Sequence, residues 1–188
     1  MLWPRKLHPA GVALPVIQRG NARAACFYDE RDYAAYRNGL RGHAERFECS
    51  VHAYALMGNH VHLLLTASCG KGTASLMQAL ADCHARYMLE AHDRTGALWE
   101  DGFEASPVHV RRHVLACMRY IELNPVMARL TRRPEDYRWS SYRANALGHE
   151  DALVIPHPCY YALGRSAEAR RVVYRDSFEA ASIARLKH

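Results

Sequence analysis

Two histidines separated by one residue, His60 and His62, are the side chains of this sequence best suited to metal chemistry. They lie in a run typical of a β-strand, HVHLLLT, and side chains at positions i and i+2 of a strand point to the same face. The two imidazoles therefore converge while Val61 points away. Such a pair can bind a divalent cation and leave positions open for a substrate oxygen and water. The same spacing also occurs in strands that bind no metal.

A tyrosine and an asparagine, Tyr120 and Asn124, lie four residues apart on a predicted helix and so share one face. A phenol has an ordinary pKa of about 10 and is a poor nucleophile at neutral pH unless a nearby cation or base helps to remove its proton. A cation held by the two histidines and the Asn124 carbonyl would do this and would also polarise a phosphate. From spacing alone, the simpler interpretation is that Tyr120 packs in the core and Asn124 caps the helix before Pro125.

Composition and charge favour a polyanionic partner. Lys and Arg number 25 against 19 Asp and Glu, which gives a formal net charge of +6 and a pI of about 9.1. An excess of this kind attracts nucleic acid without proving that it binds. The six cysteines form no C-x-x-C pair, the first residues lack the apolar run of a signal peptide, and no stretch is apolar enough for a membrane span. The expectation is a cytoplasmic protein with reduced thiols and no membrane partner.

Strand and helix patterns alternate along the chain, and these elements must position the residues above. The predicted elements are a strand at 11–20 broken near Pro15, a helix capped by Asp29, a hairpin at 49–66 turning at Gly58-Asn59, a helix from Thr73 to about Arg94, an extended segment at 98–110, and a helix from His109 to Asn124. This order predicts an α+β fold with a ferredoxin-like antiparallel sheet covered by helices on one face. We expect a domain over residues 1–145 and a C-terminal helical extension over 146–188.

Several segments together resemble one family, the REP-associated tyrosine transposases, which are relatives of the insertion-sequence HUH transposases. The resemblance extends from about Gly11 to Gly164. Its two most specific motifs are HVH after an LMGNH turn and YIELNP at the end of a helix. The other segments that carry it are GVALPVIQRGN, LMQAL, RTGALWE and DYRWSSYRANALG.

This resemblance implies an HUH endonuclease fold and a transposase that nicks and joins DNA. Residue by residue, it assigns the nucleophile to Tyr120 and one Mg²⁺ or Mn²⁺ to His60, His62 and Asn124. It implies a covalent phosphotyrosine at the 5′ side of the nick, a free 3′-OH, and no nucleotide cofactor. The implied partners are single-stranded and hairpin DNA, and the oligomeric state is left open between monomer and homodimer.

Basic and aromatic side chains near these motifs are candidates for contacts with DNA. The candidates are Arg19, Arg23, Arg111, Arg112, Arg119 and Trp99. For Trp99 the alternative is a buried core anchor, and for the arginines a solvated helix face. Tyr87 is a weaker candidate for the nucleophile, because the residue one turn later is Ala91, which has no atom that could bind a metal ion. His52 is either a group that supports the metal ligands or a packed core histidine.

The resemblance weakens between the second helix and the strand that follows it. Residues Asp82, Cys83, Asp101 and Gly102 stand where the family has other residues, and at least two basic groups are missing. The loss fits a second hypothesis, a DNA-hairpin-binding protein of the same fold with weakened catalysis. A third hypothesis is a small metallohydrolase that uses His60 and His62 with an unidentified carboxylate.

Overall fold

The structure is a computed structural model and describes residues 8–108 and 110–185. Within these residues the strands are β1 (Leu14–Arg19), β2 (Cys49–Met57), β3 (His60–Ala67) and β4 (Glu104–Ala105). The helices are α1 (Glu30–Arg46), α2 (Gly72–His92), α3 (Arg111–Met127), α4 (Tyr142–Leu147), α5 (Pro158–Tyr161) and α6 (Ala167–Arg185). Short 3₁₀ turns form at Asn21–Arg23 and Pro134–Asp136.

The sheet has the strand order β2-β3-β1-β4, and every pairing in it is antiparallel. The elements β1-α1-β2-β3-α2-β4 in this order are the ferredoxin-like arrangement, so the predicted fold class is confirmed. The hairpin of β2 and β3 turns at Gly58-Asn59, also as predicted. Strand β3 lies inside the sheet between β1 and β2, which fixes its side chains more firmly than those of an edge strand.

Side chains of β3 point alternately to the two faces of the sheet, and each face packs against its own layer of helices. Val61 and Leu63 belong to the core shared with α1 and α2, whereas Leu64 belongs to the core shared with α3 and α6. The prediction that helices cover one face only was wrong. The second face of the hairpin is itself apolar, at Ala53 and Ala55, and a sheet face of this kind must be covered to keep it from water.

Two prolines have smaller effects on their elements than the sequence suggests. Pro125 lies inside α3, and the helix continues past it to Met127. The Ala128 amide still donates to the Asn124 carbonyl at 2.8 Å, so the helical hydrogen bonding resumes after the proline. Pro125 has no amide hydrogen, so the bond that this residue would donate is lost. The predicted start of this helix at His109 lies outside the described residues. Pro15 does not break β1 and pairs with Leu64.

The Asp29 cap predicted for α1 is confirmed. Its carboxylate accepts from the Arg31 and Asp32 amides, and the Asp32 carboxylate accepts in return from the Asp29 amide at 3.1 Å. This reciprocal arrangement satisfies amides that the first turn of a helix leaves without partners. It fixes where α1 begins and therefore how α1 meets the sheet.

The chain beyond α3 closes the edge of the sheet at β2. The Leu56 amide donates to the Trp139 carbonyl at 2.9 Å, and the Ser141 amide donates to the Tyr54 carbonyl at 3.0 Å. Covering an edge strand prevents its free amides and carbonyls from pairing with another chain. Within residues 8–108 and 110–185, no helix is long and apolar enough to cross a membrane.

Helix α6 packs on the same sheet face as α3. Its Tyr174 and Phe178 belong to the hydrophobic cluster that also contains Met118 and Ile121 of α3. The division into a domain at 1–145 and an extension at 146–188 stays a prediction.

Candidate metal and tyrosine site

The two histidines of the HVH motif lie side by side on the face of β3 that α3 covers. Their ring centroids are 4.9 Å apart and the ring planes meet at 79°. His62 pairs with Ile17 of β1 on one side and Ala55 of β2 on the other, so the strand that carries it is held from both sides. The predicted convergence of the two imidazoles is therefore present.

Burial keeps both imidazoles in the neutral form. It lowers the pKa of His62 to about 3, with smaller contributions from His60 and Arg19. Burial and the charge of Arg19 also hold the pKa of His60 below its ordinary value. A neutral imidazole has one nitrogen with a free lone pair, which is the form that binds a metal ion.

Tyr120 faces this pair from α3. Its ring centroid is 6.1 Å from that of His62, and 49% of the residue is exposed to solvent. The simpler interpretation, in which Tyr120 packs in the core, is wrong. Helix α3 packs on the sheet through Val114, Met118 and Ile121 instead, and Tyr120 lies outside this hydrophobic cluster. A phenol in this position can be reached by a large substrate.

Asn124 lies one turn after Tyr120 and is nearly buried, with 9% exposure. Its amide nitrogen donates to the Tyr120 carbonyl at 2.9 Å, so the side chain folds back along its own helix. The amide oxygen is then the atom left to accept a donor or to meet a cation. Imidazole nitrogens and amide oxygens are both atoms that bind divalent cations in proteins. Binding of one ion by His60, His62 and Asn124 together stays a prediction.

A buried carboxyl on α3 was not singled out from the sequence. Glu122 is fully buried and accepts hydrogen bonds from Ser141 at 2.6 Å, from Asn145 at 2.8 Å and from Tyr174 at 2.8 Å. Burial raises its pKa to about 7, although all three hydrogen bonds oppose this shift. The signal available in the sequence was a glutamate between the apolar residues Ile121 and Leu123 of the predicted helix.

The candidate DNA-binding arginines are distributed unevenly around the site. Arg19 pairs with His60 across the β1–β3 ladder and forms an ion pair with Glu104. Arg23 is exposed on the 3₁₀ turn that follows β1. Both lie at the same end of the sheet as His60. Their contacts with DNA stay predictions.

The three candidate arginines on α3 do not form one group around Tyr120. Arg111 and Arg112 form the first turn of the helix, roughly 13 Å along the axis from Tyr120 at 1.5 Å per residue. Arg119 is half-buried. Burial raises the pKa of Tyr174 of α6 strongly, and the positive charge of Arg119 opposes this shift. A role for these three in DNA binding also stays a prediction.

Trp99 does not lie at the surface as a base-stacking role would require. It is 7% exposed and packs in the core of the α1–α2 layer, with its ring 5.9 Å from those of Tyr36 and His84. The alternative of a core anchor is the one that the structure shows. The large apolar area of an indole explains why it is buried where the chain passes over this layer.

The rival nucleophile and the third histidine of the hairpin both have structural partners elsewhere. Tyr87 lies on α2, in the opposite layer from His60, and donates to the Asp32 carboxylate at 3.0 Å. His52 is 3% exposed and its ring nitrogens contact the Ile155 carbonyl at 2.6 Å and the Thr66 hydroxyl at 2.9 Å. His52 is therefore the packed core histidine of the two alternatives.

One group of metal-ligating side chains occurs elsewhere among the described residues, at Asp29, Asp32 and His92. The Asp32 carboxylate there already accepts four hydrogen bonds, from the Tyr28 and Asp29 amides, the Tyr87 hydroxyl and the His92 ring. Although burial opposes it, these bonds hold the pKa of Asp32 below its ordinary value. This group is the junction that fixes the start of α1 against the end of α2.

Two of the four departures from the family pattern lie in the layer opposite the histidine pair, and the other two lie in the loop that leads to β4. Asp82 and Cys83 are exposed on α2, in the opposite layer, and Asp82 accepts from Gln78 at 3.0 Å. Asp101 is exposed in the loop before β4, where Gly102 has a φ of 84° that favours glycine. None of the four interrupts the arrangement of His60, His62 and Tyr120.

Comparisons with known proteins identify the family of the chain. The family model described as "Transposase IS200 like" matches residues 11–124, which is more than half of the chain and includes both histidines, Tyr120 and Asn124. Among curated proteins no sequence matches.

The solved structures that are similar to the chain include two transposases. The structure of a REP-associated tyrosine transposase bound to a REP hairpin has a TM-score of 0.65 at 15% identity, covering 84% of this chain and 93% of that one. A putative transposase from Deinococcus radiodurans R1 has a TM-score of 0.45 at 23% identity, covering 65% of this chain and 96% of that one. The first shares the fold. With the family model extending across both motifs, the chain belongs to the IS200-like transposase family.

Proposed function

We propose that this protein is a metal-dependent single-strand DNA endonuclease and strand transferase that acts at hairpin-flanked sites through a covalent 5′-phosphotyrosine. The observation that carries the proposal is the approach of an exposed tyrosine, Tyr120, to two neutral histidines on the central strand. The hairpin bound to the REP-associated transposase of the same fold supports hairpin DNA as the substrate.

The chemistry assigned to each side chain follows from its position. The Tyr120 phenol gives up its proton to water and its oxygen attacks the scissile phosphorus; a bond forms between them, and the bond from phosphorus to the 3′ oxygen breaks. The leaving oxygen takes a proton and becomes a free 3′-OH, while the 5′ phosphate stays on the tyrosine. A divalent ion held by His60, His62 and Asn124 would supply charge that stabilises the phosphate oxygens and the phenolate.

Adduct formation tests this function directly. A hairpin oligonucleotide with a single-stranded flank, labelled at its 3′ end, is incubated with the protein and Mn²⁺ and analysed on a denaturing gel. The expected result is a labelled species of protein size that requires the metal and survives denaturation. Binding without such a species would favour the hypothesis of a hairpin-binding protein with weakened catalysis.

A metallohydrolase is the third function to distinguish. It predicts turnover that uses water in place of a tyrosine and therefore leaves no protein–DNA bond. Two carboxylates on the elements around the site already have partners, because Glu104 is paired with Arg19 and Glu122 accepts from Ser141 and Tyr174. Release of a 5′-phosphorylated product with no adduct at any time would favour it.

His60→Ala and His62→Ala should each lose Mn²⁺ affinity and adduct formation together. Either change leaves the ion with two protein ligands at most, whereas Asn124→Ala should be milder because water can replace one amide oxygen. For each histidine variant we expect a loss of metal affinity greater than the roughly 10–100-fold that removal of a residue supporting a ligand costs, measured by titration of Mn²⁺. His149→Ala, an exposed histidine after α4, is the matched control. Equal losses in all variants would contradict the assignment.

DNA binding should weaken with salt. For a single strand, the slope of log K against log salt changes by about 0.7 for each phosphate contact, so Arg23→Ala should reduce the slope by about that amount. The control is Arg41→Ala, an exposed arginine of α1 in the opposite layer. Affinity is measured by fluorescence anisotropy between low and physiological salt in the absence of metal. An unchanged slope for Arg23→Ala, or an equal change for both variants, would place the DNA elsewhere.

A further inference from the structure

The turn between β2 and β3 is joined to the segment that follows β1. The Gly20 amide donates to the Asn59 carbonyl at 2.8 Å, and the Cys26 amide donates to the Gly58 carbonyl at 2.8 Å. These two bonds bring the 3₁₀ turn at Asn21–Arg23 against the beginning of the HVH motif. The segment is therefore part of the same end of the sheet as His60.

This segment has an uncommon backbone. Ala22 and Arg23 have φ values of 53° and 59°, in the left-handed region that residues with a Cβ atom rarely adopt. The chain also approaches itself closely, because a Cβ atom at Gly20 would lie 2.3 Å from the Ala24 carbonyl oxygen and 2.6 Å from the Cys26 sulfur. Two consecutive left-handed residues persist only where the surroundings hold them, and they occur frequently at functional sites.

The side chain of Asn59 connects this segment to the candidate metal site. Its Nδ2 donates to the Arg23 carbonyl at 3.1 Å, and its Oδ1 lies 2.7 Å from Nδ1 of His60. A backbone carbonyl only accepts, so the amide nitrogen must face Arg23 and the amide oxygen must face the histidine. An amide oxygen also only accepts, so Nδ1 of His60 carries the proton. Since a neutral imidazole has one proton, the lone pair is on Nε2.

We propose that Asn59 is a positioning residue of this site with two effects. It fixes His60 in the tautomer whose Nε2 can bind a divalent cation, and it holds the left-handed turn that carries Arg23 beside the same histidine. Arg23 is exposed, and within residues 8–108 and 110–185 its guanidinium forms no ion pair, so it is available to a phosphate of the bound strand. The metal part of this inference rests on the proposed function.

Two substitutions at Asn59 separate the two effects. Asn59→Asp keeps an oxygen that accepts from Nδ1 of His60 but has no hydrogen to donate to the Arg23 carbonyl. Asn59→Ala removes both bonds. The alanine variant should therefore lose the metal site and the turn, and the aspartate variant only the turn.

The tautomer is measured by ¹⁵N NMR of the histidine ring nitrogens in the metal-free protein, where His60→Gln identifies the signal. The expected result is a protonated Nδ1 in the wild type and in Asn59→Asp, and a mixture of tautomers in Asn59→Ala. Mn²⁺ affinity should fall about 10–100-fold in Asn59→Ala and stay within a few-fold in Asn59→Asp. A protonated Nε2 in the wild type would overturn the inference without any variant. Equal Mn²⁺ affinities in the two variants would also overturn it.

The effect on Arg23 is measured as the affinity of the protein for DNA in the absence of metal. Arg23→Ala should weaken binding to a single-stranded oligonucleotide in the wild type and add little in Asn59→Asp, where the turn is already released. Full additivity of the two changes would contradict the proposed connection. Failure of the proposed function has a different signature, since a protein that forms no adduct would still show the protonated Nδ1 and the non-additive binding.

Discussion

Replacing Tyr120 by phenylalanine should abolish the covalent adduct while leaving Mn²⁺ and DNA affinities nearly unchanged. The substitution removes one oxygen from a residue that is 49% exposed, so it leaves no cavity and no buried donor without a partner. Losing a nucleophile removes the covalent route, and a decrease on the order of a thousand-fold or more is expected. Adduct yield is measured on a denaturing gel, with Mn²⁺ and DNA titrations as separate measurements.

Tyr87→Phe is the matched control for this substitution. It removes the same atom from a tyrosine in the opposite layer, where the hydroxyl donates to Asp32. We expect it to lower stability slightly and to leave the adduct intact. If Tyr120→Phe still forms the adduct and Tyr87→Phe does not, the nucleophile has been assigned to the wrong helix.

Glu122 should have the largest effect on stability among the residues of α3. Replacement by alanine removes an acceptor from three buried donors, on Ser141, Asn145 and Tyr174. Asn145 keeps its bond to the His52 carbonyl at 3.0 Å and Ser141 lies 3.4 Å from the Tyr54 carbonyl, so the Tyr174 hydroxyl loses most. The replacement also leaves a cavity between α3, α4 and α6. A loss of about 3 kcal/mol or more in the free energy of unfolding is expected, measured by urea denaturation. A change within the range of surface substitutions would mean that these hydrogen bonds do not hold the helices together.

The Glu122 carboxyl should also make the free energy of unfolding depend on pH between pH 4.5 and about 7. Burial raises its pKa from 4.5 to about 7, so between these values the folded protein binds more protons than the unfolded chain. Stability contributed by this group is complete below pH 4.5 and is lost as the pH rises through about 7, by up to about 3 kcal/mol. Glu122→Gln should remove this loss and be relatively more stable at pH 8 than at pH 5. The same difference between variant and wild type at both values would contradict it.

Local patterns in the sequence were enough to predict the order of the elements from β1 to α3, but not α4 and α5 or the effects of Pro15 and Pro125. The period of two along a strand brought His60 and His62 to one face, and the period of the helix placed Asn124 one turn after Tyr120. The Asp29 cap and the turn at Gly58-Asn59 were also predicted, because each depends on a few neighbouring residues. Such features follow from backbone geometry and hydrogen bonding over short distances.

Contacts between distant parts of the chain were decided by the tertiary structure alone. Periodicity shows that α3 has an apolar face but not which face of the sheet that helix covers, so its position opposite α1 and α2 was missed. The burial of Trp99 and the partners of Glu122 depend on segments that are remote in sequence. The bond from Asn59 to Arg23 joins two loops 36 positions apart, and no local pattern encodes it. Short-range backbone geometry sets which side chains share a face of an element, whereas packing sets which faces meet, because burial acts on the whole chain at once.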